Sequence, residues 1–155
     1  MKYTETQKDL FEMDKEKYHF AHCISSDCQM DAGIAIHFNR HFKLRKMLLK
    51  IPAEERTAPT CIKAAGTKVF NLITKERYWN IPSYEAVEKS LIKMKEQIVA
   101  EKITNLAMPK IASGLDQKNW EKIREMIRKV FNDIDIEIAV CYLGEDAPTD
   151  ITPIV

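Results

Sequence analysis

Lys75 and Asp116 are the two residues of this chain whose types and positions best suit covalent chemistry. Lys75 closes the apolar run KVFNLITK, and Asp116 closes the loop PKIASGLD. A lysine amine is protonated at neutral pH, so it becomes a nucleophile only in a partly desolvated site, beside a cation such as Arg77, or near a carboxylate that accepts its proton. Asp116 is a candidate for that carboxylate. On spacing alone, a solvated strand end for Lys75 and a helix N-cap for Asp116 are the simpler explanations.

Two loops place a glycine shortly before a helix. Gly33 ends the loop SSDCQMDAG, and Gly114 lies within PKIASGLD. Glycine at such a turn lets the backbone approach a phosphate, and the free N–H groups of a helix start can then bind it, although any tight turn also favours glycine. Neither loop matches GxGxxG or GxxxxGK[ST], which argues against dinucleotide oxidoreductases and P-loop NTPases.

Metal and serine chemistry are less consistent with the sequence. The segment HFAHCISSDC contains four potential zinc ligands, but strand alternation sends His22 and Cys23 to opposite faces. His37 and His41 share a helical face without the glutamate of a metalloprotease helix, and no serine lies in a G-x-S-x-G turn. We therefore predict neither a metal nor a cofactor.

The segments around these residues alternate between strands and helices. Strands are predicted over residues 1–7, 18–25, 60–65, 68–74, 103–108 and 136–142, with 60–65 and 68–74 forming a hairpin. Helices are predicted from Ile34 to Ile51, as one helix or two, then after a Ser83 cap to Ile98, and from Trp120 to Ile134. This order predicts an α/β fold of three layers with a mainly parallel or mixed sheet. Ligands of such sheets bind at the carboxyl ends of the strands, where both glycine loops fall.

Length and composition indicate one soluble domain. The chain has 155 residues, and its 24 basic and 23 acidic residues give a net charge of +1, which argues against nucleic-acid binding driven by bulk charge. No apolar run reaches the roughly 20 residues of a membrane span, and the four cysteines fit reduced thiols. We expect a domain over residues 1–143, a loosely docked tail over 144–155, and a cytoplasmic or, in a eukaryote, nuclear location.

A run of basic residues lies between Ala32 and Ala53, without any acidic residue. Its members are Arg40, Lys43, Arg45, Lys46 and Lys50. Such a run is usually a solvated helical face, and the alternative is a surface for a polyanion.

Three segments together resemble the macrodomain superfamily, in particular its terminal ADP-ribose protein glycohydrolase branch. They are HCISSDCQMDAGIA, LITKERY and AMPKIASGLD followed by NW, and the resemblance extends from residue 3 to 143. It implies a three-layer α/β/α sandwich with a central mixed sheet that binds ADP-ribose across its strand ends. It also implies a hydrolase in which Asp116 takes a proton from Lys75, and the Lys75 amine attacks C1 of the distal ribose to form a covalent intermediate.

The same resemblance implies which residues contact ADP-ribose. Asp9, Leu10 and Leu143 would meet the adenine; Lys110, Ile111, Ala112, Ser113, Gly114 and Leu115 would wrap the diphosphate; Ser25, Ala32, Gly33 and Ile34 would frame the distal ribose. The chain departs from the family at three positions. Asp31 stands where the family usually has glycine or another small residue, Lys8 replaces the glycine of the family's first loop, and Ala112 replaces a glycine of the diphosphate loop. Alanine requires a negative φ more strictly than glycine does.

We therefore predict a monomeric enzyme that removes ADP-ribose from a modified macromolecule, either an ADP-ribosylated protein or ADP-ribosylated DNA. The bond would be an ester to an acidic side chain or a bond to a nucleic-acid base. The alternative is a macrodomain that binds ADP-ribose without cleaving anything, and retention of both Lys75 and Asp116 favours the enzyme. A polyanion-binding adaptor that uses the basic run is the third hypothesis.

Overall fold

A computed structural model of the protein describes residues 1–64 and 66–144. The strands are β1 (Lys2–Gln7), β2 (His19–Ser25), β3 (Thr60–Lys63), β4 (Val69–Lys75), β5 (Asn105–Met108) and β6 (Glu137–Tyr142). The α-helices are α1 (Ile34–Phe42), α2 (Leu44–Leu48), α3 (Tyr84–Glu101) and α4 (Trp120–Phe131). Single 3-10 turns cover Leu10–Glu12 and Ala53–Arg56. The predicted tail, apart from Gly144, lies outside the described residues.

The six strands form one mixed sheet in the order β1-β6-β5-β2-β4-β3. Every neighbouring pair is parallel except β3 and β4, which form the predicted antiparallel hairpin. The carboxyl ends of five strands therefore lie along one edge of the sheet. Because β3 runs the other way, its amino end, preceded by Ala58 and Pro59, lies at that same edge.

Helices cover both faces of the sheet, as the apolar stripes predict. On one face, α3 and α4 bury their stripes in a core that includes Leu91, Met94 and Ile127. On the other face, α1 and α2 bury Phe38 and Leu44 in a second core. The three-layer α/β/α prediction is confirmed. The second core also contains the Leu10 side chain, which is 2% exposed.

The helix ends follow their local chemistry, with one correction. Lys43 adopts a left-handed conformation at φ 54°, so the predicted helix from Ile34 to Ile51 is two short helices. Ser83 caps α3 by accepting a hydrogen bond from the Ala86 N–H, as predicted. The N-cap role suggested for Asp116 is wrong, because the Asn119 side chain caps α4 by accepting from the Lys122 N–H.

A partly buried polar cluster ties the edge strand β1 to α4. The Glu5 carboxylate pairs with the Arg124 guanidinium, with Nη2 to Oε1 at 2.9 Å, and accepts a hydrogen bond from the Trp120 indole at 3.3 Å. The Tyr3 hydroxyl donates to the same carboxylate at 2.6 Å. Burial raises the pKa of Glu5, but these donors outweigh it and lower the pKa to about 2. In the described part of the chain, no helix combines the length and apolar character that crossing a membrane needs.

Candidate active site

Lys75 and Asp116 meet at the carboxyl edge of the sheet. Lys75 is the last residue of β4, and Asp116 lies in the loop after β5, with only β2 between the two strands. The Lys75 Nζ lies 2.6 Å from the Asp116 Oδ1. Their side chains are 13% and 9% exposed, so a short, charge-assisted hydrogen bond joins them in a partly desolvated site. This is the juxtaposition that a lysine nucleophile needs.

A cavity of about 350 Å³ opens beside this pair. Three loops line it: the β2–α1 loop, the loop after β4, and the end of the loop after β5. The lining brings together several of the predicted site residues, namely Ser25, Ala32, Ile34, Lys75, Leu115 and Asp116. The other predicted residues are not among those that line this cavity, although Gly33 lies between Ala32 and Ile34, which do.

The loop after β5 has the backbone of an anion-binding turn. The backbone N–H groups of Ile111, Ala112 and Ser113 donate no hydrogen bond within the described part of the chain, whereas the Ser113 hydroxyl donates to the Lys110 carbonyl at 2.6 Å. Free, adjacent N–H groups form a concavity that suits phosphate oxygens. The Lys110 ammonium lies 4.1 Å from the centre of the Tyr142 ring, so this side chain points towards β6.

The residues predicted for adenine lie at the far end of the edge, on β1 and β6. Asp9 follows β1, its Oδ1 accepts from the Phe11 N–H at 2.9 Å, and its Oδ2 accepts no hydrogen bond from a described residue. Leu143 follows β6 and is exposed, and its carbonyl accepts from the Gln7 side chain. Leu10 offers little surface to a ligand because it belongs to the core. From β1 to β4 the edge spans four strand intervals, or roughly 19 Å at the usual spacing.

Comparison with curated proteins finds close relatives of one kind. A human protein named ADP-ribose glycohydrolase OARD1 is 39% identical over 140 residues, which cover 90% of this chain and 91% of the human protein. The bovine protein of the same name is 39% identical over 122 residues, or 79% of this chain and 80% of that protein. This chain belongs to the macrodomain family, in its ADP-ribose glycohydrolase branch. No protein-family model matches the chain.

Solved structures agree with the macrodomain fold. The macrodomain of Mycobacterium tuberculosis DarG superposes with a TM-score of 0.79 at 18% identity, covering 90% of this chain and 96% of that one. A Thermosipho africanus DarTG chain solved in complex with ADP-ribose gives a TM-score of 0.76 at 14% identity, covering 90% of this chain and 41% of that one. The resemblance deduced from three short motifs is therefore confirmed at the level of family and fold.

The glycine that opens α1 of this macrodomain is required by its backbone. Gly33 has φ 59° and ψ −148°, a conformation that is essentially restricted to glycine, and no side chain caps the helix. Ala32, Ile34 and Ala35 line the cavity, so the start of α1 faces it. The uncapped N–H groups of a helix start carry partial positive charge and suit an anionic ligand.

Two of the three departures from the family pattern, Ala112 and Asp31, have visible consequences in this macrodomain. Ala112 adopts φ 60°, a left-handed conformation that is costly for alanine, so the replacement of glycine here puts conformational strain into the loop. Asp31 lines the cavity and is exposed, and its Oδ2 accepts from the Gln29 side chain at 2.9 Å. Its carboxylate therefore adds negative charge to a cavity predicted to hold an anionic ligand.

Asp27 is a structural residue of the site that sequence reasoning missed. Its Oδ1 accepts from the Ser25 hydroxyl and from the Gln29 N–H at 3.1 Å, and its Oδ2 accepts from the Tyr78 N–H at 3.0 Å. Burial raises its pKa, but these three donors together lower it below the usual value. The ionised carboxylate thus ties together the two loops that flank Lys75. An Asp two residues after a strand is typical of such Asx turns, which was the available signal.

The aromatic rim of the cavity was also missed. Tyr78 and Trp79 are 54% and 66% exposed and contact each other edge to face, with ring centres 5.0 Å apart. Both line the cavity. An aromatic pair shortly after the strand that ends in Lys75 was the available signal.

Proposed function

We propose that this macrodomain is an ADP-ribosyl hydrolase in which Lys75 is the nucleophile and Asp116 accepts its proton. It removes ADP-ribose from a modified macromolecule. The observation that carries this proposal is the 2.6 Å contact between the Lys75 Nζ and the Asp116 Oδ1 in a partly desolvated site beside the cavity. The relatives named as ADP-ribose glycohydrolases support the same activity.

The first chemical step transfers a proton and forms a carbon–nitrogen bond. Asp116 takes one proton from the Lys75 ammonium, and the freed amine attacks C1 of the distal ribose. The bond from C1 to the released group breaks, and that group leaves with the electron pair. A carboxylate leaving group needs no proton at neutral pH. The oxygen of water then bonds to C1 as the C1–N bond breaks, one proton of that water passes to the departing Lys75 amine, and Asp116 releases to solvent the proton that it took.

The ADP-ribose lies along the strand ends in this proposal. Its adenine meets Asp9 and Leu143 at the β1–β6 end, where the second carboxylate oxygen of Asp9 accepts from the exocyclic amine. Its diphosphate lies on the N–H groups of residues 110–115 and faces the start of α1 at Gly33. The distal ribose enters the cavity beside Lys75. One chain supplies every group, so we propose that the protein acts as a monomer.

A hydrolysis assay paired with a binding measurement tests the assignment. The substrate is a peptide with ADP-ribose on a glutamate ester, and calorimetry follows free ADP-ribose. Lys75→Ala should abolish release and leave the affinity for ADP-ribose within about twofold, because the side chain acts on C1 rather than on the diphosphate. The matched control is Lys95→Ala, which breaks a second 2.6 Å lysine–aspartate pair, with Asp133, and neither of these residues lines the cavity.

Each outcome selects one hypothesis. Binding without any release by the unsubstituted protein would identify a non-catalytic ADP-ribose binder. Absence of binding, with affinity for DNA that falls steeply with salt, would identify a polyanion adaptor that uses the basic run. Full release by Lys75→Ala would leave Asp116 activating water as the surviving mechanism.

A further inference from the structure

The sheet order indicates where the released group must lie. In the proposed function, on which this inference rests, ADP-ribose extends from β1 towards β4 and ends at Lys75. The strand beyond β4 is β3, and its antiparallel direction puts Ala58 and Pro59 at the ligand edge. A group attached to C1 of the distal ribose therefore continues towards the segment that precedes β3.

A second cavity lies in that direction. It has a volume of about 370 Å³, and it shares Lys75, Asn80 and Ile81 with the first cavity. Away from Lys75, the cavity is lined by Pro59 and by two residues at the start of α3, Ser83 and Ala86. The Glu76 side chain holds this lining in place, because its Oε1 accepts from the Ala58 N–H at 2.9 Å. Lys75 thus lies between two cavities, and only one of them is needed for the ribose.

The second cavity continues along α3. Pro59 also borders a depression of about 220 Å³ that contains Ile92, whose side chain is 43% exposed. Ile92 lies eight residues after Tyr84 on α3, or about 12 Å at 1.5 Å per residue. An extended polypeptide covers that distance with about four residues. We call the surface from Ile81 over Pro59 to Ile92 the α3 groove.

The charges of the α3 groove fit a polypeptide better than a phosphate backbone. Lys75 pairs with Asp116, Lys89 with Glu85 at 2.9 Å and Lys93 with Glu96 at 3.8 Å, so each lysine that lines the groove is already compensated. The remaining lining is apolar or carries uncharged polar groups, apart from the carboxylate of Glu76. Nucleic-acid surfaces instead present uncompensated cations.

Uncompensated cations do exist in this protein, but on the opposite layer. Arg40, Lys43, Lys46 and Lys50, on and around α1 and α2, form no ion pair with any residue of the described ranges. Helix α3, which forms the α3 groove, packs on the opposite face of the sheet from α1 and α2. A substrate that leaves Lys75 along α3 therefore does not meet the basic run.

We propose that the α3 groove is the binding site for the released macromolecule, and that this macromolecule is a polypeptide. The modified side chain reaches C1 beside Ile81, and about four residues of its chain lie extended over Pro59 to Ile92. The apolar side chain of Ile92 contacts the far end of that segment. It is a specificity residue that touches neither the ribose nor the reacting atoms.

Substrates of graded length test the groove. ADP-ribose is attached by an ester to acetate, to a peptide with one residue on each side of the modified glutamate, or to a peptide with six residues on each side. A fourth substrate is an ADP-ribosylated DNA oligonucleotide. We expect kcat/KM for the long peptide to exceed that for the acetate ester at least tenfold. Ile92→Gln should lower the ratio of kcat/KM for the long peptide to kcat/KM for the acetate ester about fivefold. The ratio of kcat/KM for the short peptide to kcat/KM for the acetate ester should not change.

Val99→Gln is the matched control, because Val99 is 54% exposed on the same helix and lies outside the groove. It should leave every ratio unchanged. Equal ratios in Ile92→Gln and unsubstituted protein, with the acetate ester still hydrolysed, would overturn the groove and spare the proposed function. The unsubstituted protein could instead prefer the DNA substrate, and a Lys43→Gln and Lys46→Gln double variant could lose that preference. That result would also overturn the proposal, because the released macromolecule would then be a nucleic acid and not a polypeptide. Failure to hydrolyse any of the four substrates would overturn the proposed function and the groove with it.

Discussion

The Lys75 ammonium and the Asp116 carboxylate lie 2.6 Å apart although 41 residues separate them in the chain. Only the strand order brings them together, because β4 and β5 flank β2 and send their carboxyl ends to one edge. The pair is more than an ordinary surface ion pair, since the two side chains are 13% and 9% exposed. Because the local dielectric is lower at this depth than in water, the two charges interact more strongly here than they would on the surface.

Replacing Asp9 tests where the adenine lies. Asp9→Ala should weaken ADP-ribose binding by about 1 to 3 kcal/mol, the range for losing a charged hydrogen-bond partner. Asp9→Asn is the comparison, because an amide oxygen can still accept from the Phe11 N–H that Asp9 now binds. Calorimetry on both variants separates the loss of the hydrogen bond from the Phe11 N–H from the loss of the contact between Asp9 and the adenine. Unchanged affinity in both would remove Asp9 from the adenine site.

Ala112→Gly tests the strain in the diphosphate loop. An alanine at φ 60° costs roughly 1 to 2 kcal/mol, whereas glycine adopts that φ freely and loses about 0.5 to 1 kcal/mol through its unfolded-state entropy. The variant should therefore be as stable as the parent or up to about 1.5 kcal/mol more stable in urea unfolding. Its affinity for ADP-ribose should be equal or higher. A large loss of affinity would mean that the alanine methyl itself positions the loop.

Asp31→Asn tests the charge on the cavity wall. The Asp31 carboxylate faces the cavity in which a diphosphate sugar would bind, and like charges repel across it. The amide should tighten ADP-ribose binding about two- to fivefold at low salt. Because salt screens an exposed charge, the gain should shrink as ionic strength rises. Weaker binding by Asp31→Asn would indicate that the carboxylate accepts a hydrogen bond from the ligand.

Acid sensitivity should depend on Glu5. Its folded-state pKa of about 2 is below the ordinary value of 4.5, so the stabilisation is present above pH 4.5 and is lost as pH falls towards 2. Glu5→Gln should lower stability at pH 7 by about 1 to 2 kcal/mol and flatten its decline between pH 4.5 and 2. Urea unfolding across that range measures both. Glu125→Gln, on the exposed part of α4, is the control, and an equal slope in the two variants would rule out the Glu5 cluster as the cause.

The sequence predicted the elements, and it singled out Lys75 and Asp116, which the fold brings into contact, because each depends on local pattern. Element type follows from the apolar stripes of α3 and α4 and from the buried runs of β2 and β4. The family follows from the motifs that end in Lys75 and Asp116. The break at Lys43 was left open, since both short helices present apolar residues at compatible spacing.

Other features depend on contacts between distant segments. The tie from Asp27 to the Tyr78 backbone needs two loops to meet after folding, and no spacing within either loop reveals it. The left-handed Ala112 arises because the surrounding loop outweighs the preference of the residue. The cap on α4 was misassigned to Asp116, because its carboxylate pairs with Lys75 and Asn119 stands nearer the helix start.

The most direct test of the mechanism is mass spectrometry of the protein after incubation with ADP-ribose and a mild reductant that traps a lysine–sugar adduct. The account predicts one ADP-ribose adduct on Lys75, absent in Lys75→Ala and strongly reduced in Asp116→Asn, which cannot accept the lysine proton. Lys95→Ala should give the same adduct as the unsubstituted protein. An adduct spread over surface lysines, or full release of ADP-ribose by Lys75→Ala, would contradict Lys75 as the nucleophile.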